Sequence, residues 1–345
     1  MKAVVCCAFG LEHTAVRDWP APALTEDGVR IEVHAAGVSF ANLLAIEGRH
    51  QNRAEPPFVP GTEVAGVVLE CGPAVRHVVP GQRVMAAVRA GGFAQQVVAP
   101  ERTVYALPAG ISDEVAVQFP TIYGTAYAAL AWRARLQPGE TLLVHGAAGG
   151  SGLAAIEIGR VLGARVIATA STAHKQQAAQ AHGAQLTLGS SASELREAVL
   201  QATGGRGADV VFDPVGGALF DESLRCIAPC GRLVTMGYAS GQIPQVAANR
   251  LLVKNVDLIG LYWGYYLGWA RQPVPSAVAE QVRAAFAELL DWTSRGLLKP
   301  RCHASHPLHE YREALRTLAS REAIGRVALL PQRYDLAGTS EGFHE

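Results

Sequence analysis

Four glycines fall within the seven residues Gly146-Ala147-Ala148-Gly149-Gly150-Ser151-Gly152. Before them stands Leu142-Leu143-Val144, a run too short for a helix and suited to a buried parallel strand. After them Leu153, Ile156, Ile158, Val161 and Leu162 recur at helical spacing until Gly163 stops the helix, and Val166-Ile167-Ala168 supplies a second strand. A helix that begins at a strand end presents free N–H groups and partial positive charge, and glycines let a pyrophosphate approach that backbone. In this context Ala148, Gly149, Gly150, Ser151 and Gly152 predict dinucleotide binding rather than a plain tight turn.

The second strand bears on which dinucleotide. Sites for NAD place Asp or Glu about 20 residues past the turn, against the ribose 2′-hydroxyl. This strand ends Ala168-Thr169-Ala170-Ser171-Thr172, with no acid. The Ser171 and Thr172 hydroxyls and the Lys175 ammonium, one helical turn on, can receive a 2′-phosphate. Ser171 can equally cap the next helix while Lys175 stays solvated, and both uses are compatible. An acid would repel a phosphate, so its absence favours NADPH.

These residues need two kinds of support. At 345 residues the chain is long enough for two domains. Residues 1–120 read as short strands punctuated by Gly-Pro turns (Ala3–Ala8, Val29–Ala36, Glu63–Glu70, Arg83–Val88, Phe93–Val98), an all-β, barrel-like lobe. From 121 strands and helices alternate to a sixth strand at Asp257–Gly260, predicting a doubly wound parallel sheet. Two amphipathic helices, Val278–Trp292 and Leu308–Leu318, a last strand, Arg326–Leu330, and a polar tail, 331–345, expected to be mobile, complete the chain.

Thirty basic residues balance thirty acidic ones, which gives no electrostatic ground for nucleic-acid or membrane binding. The first ten residues read as a strand, not a signal peptide, and no apolar run approaches the roughly 20 residues of a membrane span. The six cysteines are scattered, which suits buried thiols in a reducing cytoplasm. Cys226 and Cys230 have no second pair nearby to complete a four-ligand metal site.

With these motifs in hand the chain resembles the zinc-free quinone oxidoreductase branch of the medium-chain dehydrogenase/reductase superfamily. The similarity runs over about 1–330 and includes AAGVSFANLLAIEG (35–48), PFVPGTEVAGVV (57–68), GGFAQQVVAP (91–100), YGTAYAAL (123–130), HGAAGGSG (145–152), DPVGG (213–217) and LLVKNVDLIGLYWG (251–264). It implies an α/β protein: a GroES-like β-rich catalytic domain from 1–120 and 266–345, and a Rossmann NADPH-binding domain over 121–265, with the active site between them. It implies a homodimer joined through edge strands of the cofactor sheets. By resemblance Thr125, Gly237, Tyr238, Leu261, Tyr262 and Trp263 lie near the nicotinamide; the aromatics Tyr238, Tyr262 and Trp263 can equally be core.

The zinc enzymes of this superfamily carry a Cys where this chain has Ser39, and Gly-His-Glu where it has Gly61-Thr62-Glu63. Serine and threonine are poor zinc ligands, so no metal is expected. The branch usually has Asn-Phe-x-Asp where Ser39-Phe40-Ala41-Asn42 stands, and often Tyr at His50 and Tyr or His at Ser190. Ser39 and Asn42 are therefore candidates for polar contacts to substrate or cofactor, and His50, a cofactor-contact position, for pH sensitivity near neutrality. The function so implied is NADPH-dependent hydride transfer to a quinone. Alternatives are reduction of enals, enones or enoyl thioesters, and a weakly catalytic NADPH-binding sensor. The absence of a Tyr between Ser39 and Arg53 tilts against thioesters.

Overall fold

Residues 1–50 and 54–333 are described by the computed structural model, so the tail from 334 lies outside the described residues. The chain forms two compact units: Met1–Thr121 with Pro275–Phe286 and Arg301 onward, and Ile122–Val274 with Ala287–Pro300. The division differs from the expected outline at 266–274 and 287–300, which join the second unit. Specific contacts explain the later segment. Within it the Glu288 carboxylate accepts a hydrogen bond from the Tyr127 hydroxyl, the Trp292 ring lies 5.9 Å from that of Tyr127, and the Lys299 N–H donates to Glu157 at 3.1 Å. Phe286, by contrast, packs its ring 4.5 Å from Tyr105 in the first unit.

The first unit is built on a seven-stranded sheet. Its order is Cys302–Pro307, Arg326–Leu330, Gly28–Val38, Glu63–Cys71, Arg83–Ala87 and Val104–Ala106, with Gln96–Pro100 also paired to Gly28–Val38. All neighbours are antiparallel except the first two, and a separate hairpin joins Lys2–Cys6 to Thr14–Asp18. Ile31, Val33, Val64, Val84 and Leu329 meet in one apolar core with Leu308, Tyr311 and Leu315 from the C-terminal helical turn and helix Tyr311–Ala319. Tyr311, Ala314 and Leu315 fall three and four residues apart, the spacing that turns one helix face inward. Residues 331–333 are part of this unit rather than a loose tail: Pro331 is buried, and the Gln332 amide donates to the carbonyls of Val33 (3.2 Å) and Gln95 (2.9 Å).

The second unit carries a six-stranded parallel sheet in the order Leu186–Leu188, Arg165–Thr169, Thr141–Val144, Ala208–Asp213, Ile227–Thr235, Asp257–Gly260. Every residue of Thr141–Val144 and Ala208–Asp213 is buried, as expected of central strands covered by helices on both faces. The sequence order reverses between these two strands, so their C-terminal ends flank the crevice where such sheets bind ligands.

One buried ion pair stands out in the first unit. Glu63, fully buried, pairs with Arg326 and accepts the Thr121 hydroxyl. Gly37, on the strand between them, leaves the space: a Cβ there would come within 2.6 Å of the Glu63 carboxylate. Burial pushes the Arg326 guanidinium down to about 9. Removing one partner strands the other charge, at a cost of about 3–5 kcal/mol. Glu63→Gln and Arg326→Met should each lower stability on that scale in denaturant unfolding of the full chain, and the double variant should lose clearly less than the sum. Additive losses would show that the two charges are not coupled.

Candidate functional site

The glycine turn is closed by backbone alone. His145 still donates to Phe212 O (3.1 Å), Gly146 adopts φ +61°, Gly149 donates back to Gly146 O (3.0 Å), and Ala147 donates to Thr169 O (3.1 Å) on the neighbouring strand. Helix Gly150–Val161 then begins with Gly149 as its N-cap, and no side chain caps it. Its first N–H groups thus retain their capacity for an anion.

The glycines are there for different reasons. A Cβ on Gly152 would lie 2.3 Å from Gly146 O and 2.7 Å from Ala147 Cα, and one on Gly150 would lie 2.6 Å from Ile122 Cδ1. Backbone forbids a side chain at Gly152, whereas at Gly150 a Cβ would need the Ile122 side chain to shift. Gly149 is exposed, and a Cβ there would meet only Gly146 O, at an ordinary 3.5 Å. Its backbone, φ −74° and ψ 163°, suits any residue. The fold does not require glycine at 149, but a ligand resting on the backbone does. The cradle fits a pyrophosphate, with Ala148 buried behind it.

At the next strand end, Thr172 rather than Ser171 is the helix cap: its side chain accepts the Lys175 N–H at 3.3 Å. Ser171 is left exposed, and its hydroxyl accepts from the Lys175 ammonium at 3.4 Å. The two groups expected to receive a 2′-phosphate are therefore together.

The other predicted residues divide. Tyr238 and Tyr262 stand 41% and 38% exposed just past the C-terminal ends of their strands, and Gly237 lies there too, with Pro214 O at 3.4 Å from a would-be Cβ. Leu261 and Trp263 are buried. Trp263 packs with Tyr266 (5.4 Å, stacked) and Trp132 (6.2 Å) in an aromatic cluster. Thr125 is half-buried in the short helix Gly124–Tyr127. In the first unit, Ser39 and Asn42 form a capping box for helix Phe40–Ile46: Asn42 N–H donates to Ser39 Oγ (3.2 Å), while the Ser39 N–H and hydroxyl donate to Asn42 Oδ1 (2.7 and 2.8 Å). Their first role is thus to start a helix. His50 is half-buried just beyond that helix, its N–H on Leu44 O at 3.1 Å.

Sequence reading passed over a buried polar chain beside the turn. His145 Nδ1 lies 2.9 Å from Thr169 Oγ1, and Nε2 lies 2.7 Å from Ser223 Oγ. Its position inside the HGAAGGSG motif was a signal, but only the structure supplies the partners. Burial holds the imidazole below its ordinary titration range, and the neighbouring Asp213 opposes that in part.

Among the described residues no group of three or more His, Cys, Asp or Glu is arranged to hold a metal ion. Ser39, Thr62 and Glu63 do not form such a group, and the Glu63 carboxylate is taken by Arg326 and Thr121. Cys226 is buried, its thiol pushed up to about 11 by that burial, whereas Cys230 is exposed.

Comparison with known proteins places this geometry. The family model described as "Alcohol dehydrogenase GroES-like domain" matches residues 25–109, and the one described as "Zinc-binding dehydrogenase" matches residues 150–282. The chain is 37% identical over 331 residues to a "Quinone oxidoreductase-like protein 2 homolog" of Nematostella vectensis, covering 95% of this chain and 88% of that one. This chain belongs to the quinone oxidoreductase family of the medium-chain dehydrogenase/reductase superfamily. Solved structures similar to this family member include Escherichia coli quinone oxidoreductase complexed with NADPH (TM-score 0.86, 28% identity, 96% of this chain and 100% of that one). A mycobacterial protein complexed with NADPH is also similar (TM-score 0.87, 30% identity, the same coverage). The two family models correspond to the two kinds of sheet, GroES-like in the first unit and Rossmann in the second.

The glycine argument makes a direct prediction for this oxidoreductase. Gly149→Ala should change the unfolding free energy of the ligand-free protein by less than about 0.5 kcal/mol while weakening dinucleotide binding at least about tenfold. Gly152→Ala should destabilise the ligand-free protein by about 1–3 kcal/mol. Denaturant unfolding and calorimetric titration check both. A Gly149→Ala protein that binds the dinucleotide like the parent would remove the case for a ligand on that backbone.

Proposed function

We propose that this chain is an NADPH-dependent oxidoreductase that passes hydride to a quinone without zinc. The observation that carries the reading is the pairing of Gly149, a glycine the fold does not need, with Ser171 and Lys175, a hydroxyl and ammonium held together at the next strand end. The first can take a pyrophosphate on helix N–H groups and the second a 2′-phosphate. Two similar structures are complexes with NADPH, which supports the same choice.

When bound, NADPH supplies the hydride. The protein's contribution is to hold the dinucleotide along the strand ends and orient it. Gly237, Tyr238 and Tyr262 are the residues of this unit offered to its nicotinamide end, with Thr125 and, from the first unit, His50, Ser39 and Asn42 as further contacts. A zinc enzyme stabilises an alkoxide with its metal; Ser39, Thr62 and the engaged Glu63 offer no comparable ligand set. A conjugated acceptor such as a quinone needs less help, because incoming charge spreads over its π system and hydrogen-bond donors can stabilise the oxygen.

The small-molecule acceptor reading agrees with a formal net charge of zero and with the finding that no helix among the described residues is long and apolar enough to cross a membrane. All six cysteines are free, which supports a reducing, cytoplasmic setting. We read the protein as a homodimer. The edge strand Asp257–Gly260 and the preceding helix Ala248–Lys254, with Leu252 and Val253 each 76% exposed, offer the second unit an unpaired edge and apolar side chains for a second copy.

The test follows oxidation of NADPH and NADH against quinones, short enals and an enoyl-CoA, with metal analysis of the same preparation. The expected result is quinone turnover with NADPH, no stoichiometric zinc, and at least about a tenfold loss of NADPH affinity in Lys175→Ala with little change for NADH. Turnover of the thioester alone would overturn the quinone reading. Tight NADPH binding with no turnover would favour the sensor reading, and stoichiometric zinc would overturn the metal-free one.

A further inference from the structure

The chain through His145 fixes its own hydrogen positions. The Ser223 hydroxyl donates to Leu219 O at 2.7 Å, so toward His145 it is an acceptor, and His145 Nε2 must carry the proton. His145 Nδ1 is then the acceptor, and the Thr169 hydroxyl donates to it. The imidazole is completely buried and neutral, with both nitrogens used once. Polar groups this deep are costly unless paired, and a fully paired set fixes one arrangement of the elements that carry it.

Those elements are the two halves of the candidate cofactor site. His145 directly precedes Gly146, where the pyrophosphate turn begins. Thr169 ends the strand that delivers Ser171 and Thr172 two and three residues later. A second hydrogen bond between turn and strand end is the Ala147 N–H to Thr169 O contact at 3.1 Å. That contact holds the Thr169 peptide, while the His145–Thr169 contact holds its side chain, so together they set how far Ser171 and Lys175 stand from Gly149. Ser223, on helix Gly217–Cys226, braces the imidazole from the side away from that strand.

We propose that His145 is a positioning residue for cofactor choice: through Thr169 it holds the 2′-phosphate end of the site at the correct distance from the pyrophosphate turn, and so sets the preference for NADPH over NADH. The proposal rests on the NADPH reading above. It assigns to His145 no contact with the cofactor.

Four substitutions separate positioning from mere packing. Glutamine can place its amide where Nε2 lies and keep Ser223, but cannot accept from Thr169. Asparagine can place its oxygen where Nδ1 lies and keep Thr169, but cannot reach Ser223. Thr169→Val removes the donor to Nδ1, and Ser223→Ala removes only the brace. Each should lower the thermal midpoint, since each orphans a buried group. The NADPH:NADH ratio of dissociation constants, and the matching ratio for 2′,5′-ADP and 5′-AMP, should rise at least about fivefold in His145→Gln and Thr169→Val. Both ratios should stay within about twofold in His145→Asn and Ser223→Ala. Calorimetric titration of the full chain reads all of these without turnover. Should His145→Gln fail to fold, Thr169→Val still tests the same link. Unchanged ratios in Thr169→Val, or ratios that simply follow lost stability across the four, would overturn the proposal. If the parent binds NADH as tightly as NADPH, the cofactor reading fails and takes the proposal with it. A parent that prefers NADPH, loses the preference in Lys175→Ala and keeps it in Thr169→Val would leave the cofactor reading standing and sink only the role of His145.

Discussion

The closest constraint in the second unit is backbone against backbone. Helix Gly150–Val161 lies so near the end of its strand that a single methyl at Gly152 would reach Gly146 O. Gly159, seven residues on and on the same helix face, repeats the demand: a Cβ there would be 2.5 Å from Leu142 Cδ2. The first contact is with backbone and the second with a strand side chain, and between them they bring the helix down onto the sheet. The helix must then start within four residues of Gly146, and its N-terminal N–H groups open at the strand ends rather than into the core. A dinucleotide site on that end is a consequence of close packing as much as of charge.

The same approach creates polar obligations. Glu157 lies on this helix, 1% exposed, and a carboxylate so placed must be matched. Tyr123 donates at 2.7 Å, His182 stands at 2.6 Å, and the Lys299 N–H donates at 3.1 Å to each carboxylate oxygen. Since the match draws on residues far apart in sequence, it ties 123, 182 and 299 to one helix and accounts for the inclusion of 287–300 in this unit.

How much of this the sequence discloses depends on whether the signal is local. The glycine turn, the missing acid after Ala168 and the alternation from 121 to 260 are local, and the strand, helix and turn types they imply are those found. Asp257–Gly260 and Arg326–Leu330 even keep their bounds. Strands Thr14–Asp18, Val104–Ala106 and Cys302–Pro307 were not legible. The last reads Cys-His-Ala-Ser-His-Pro, whose alternation rests only on the small Cys302 and Ala304 and is too weak to read, and it lies at a sheet edge beside Arg326–Leu330. Ser39 and Asn42 show the converse. Their polarity suggested chemistry, whereas serine followed three residues later by a side chain that can return the hydrogen bond is also a helix start. Trp263 reads identically as a cofactor wall and as core, and sequence gives no sign of the aromatic cluster it forms with Trp132 and Tyr266.

Taken together, the polar side chains near the expected metal and substrate positions of the first unit are occupied by one another. Ser39 and Asn42 close a cap, and Glu63 answers Arg326 and Thr121. Extracting a strong acid, base or Lewis-acid ligand from such sets would break contacts whose loss is expensive because they are buried. A protein so built is best suited to a reaction in which reactants carry their own driving force and need chiefly to be held in register. The hydride transfer to a conjugated acceptor proposed above is that kind of reaction, and the demands it makes are geometric. Parts of this chain meet such demands: a helix seated on the Gly152 contact, and the His145, Thr169 and Ser223 side chains joined at the strand ends by buried hydrogen bonds.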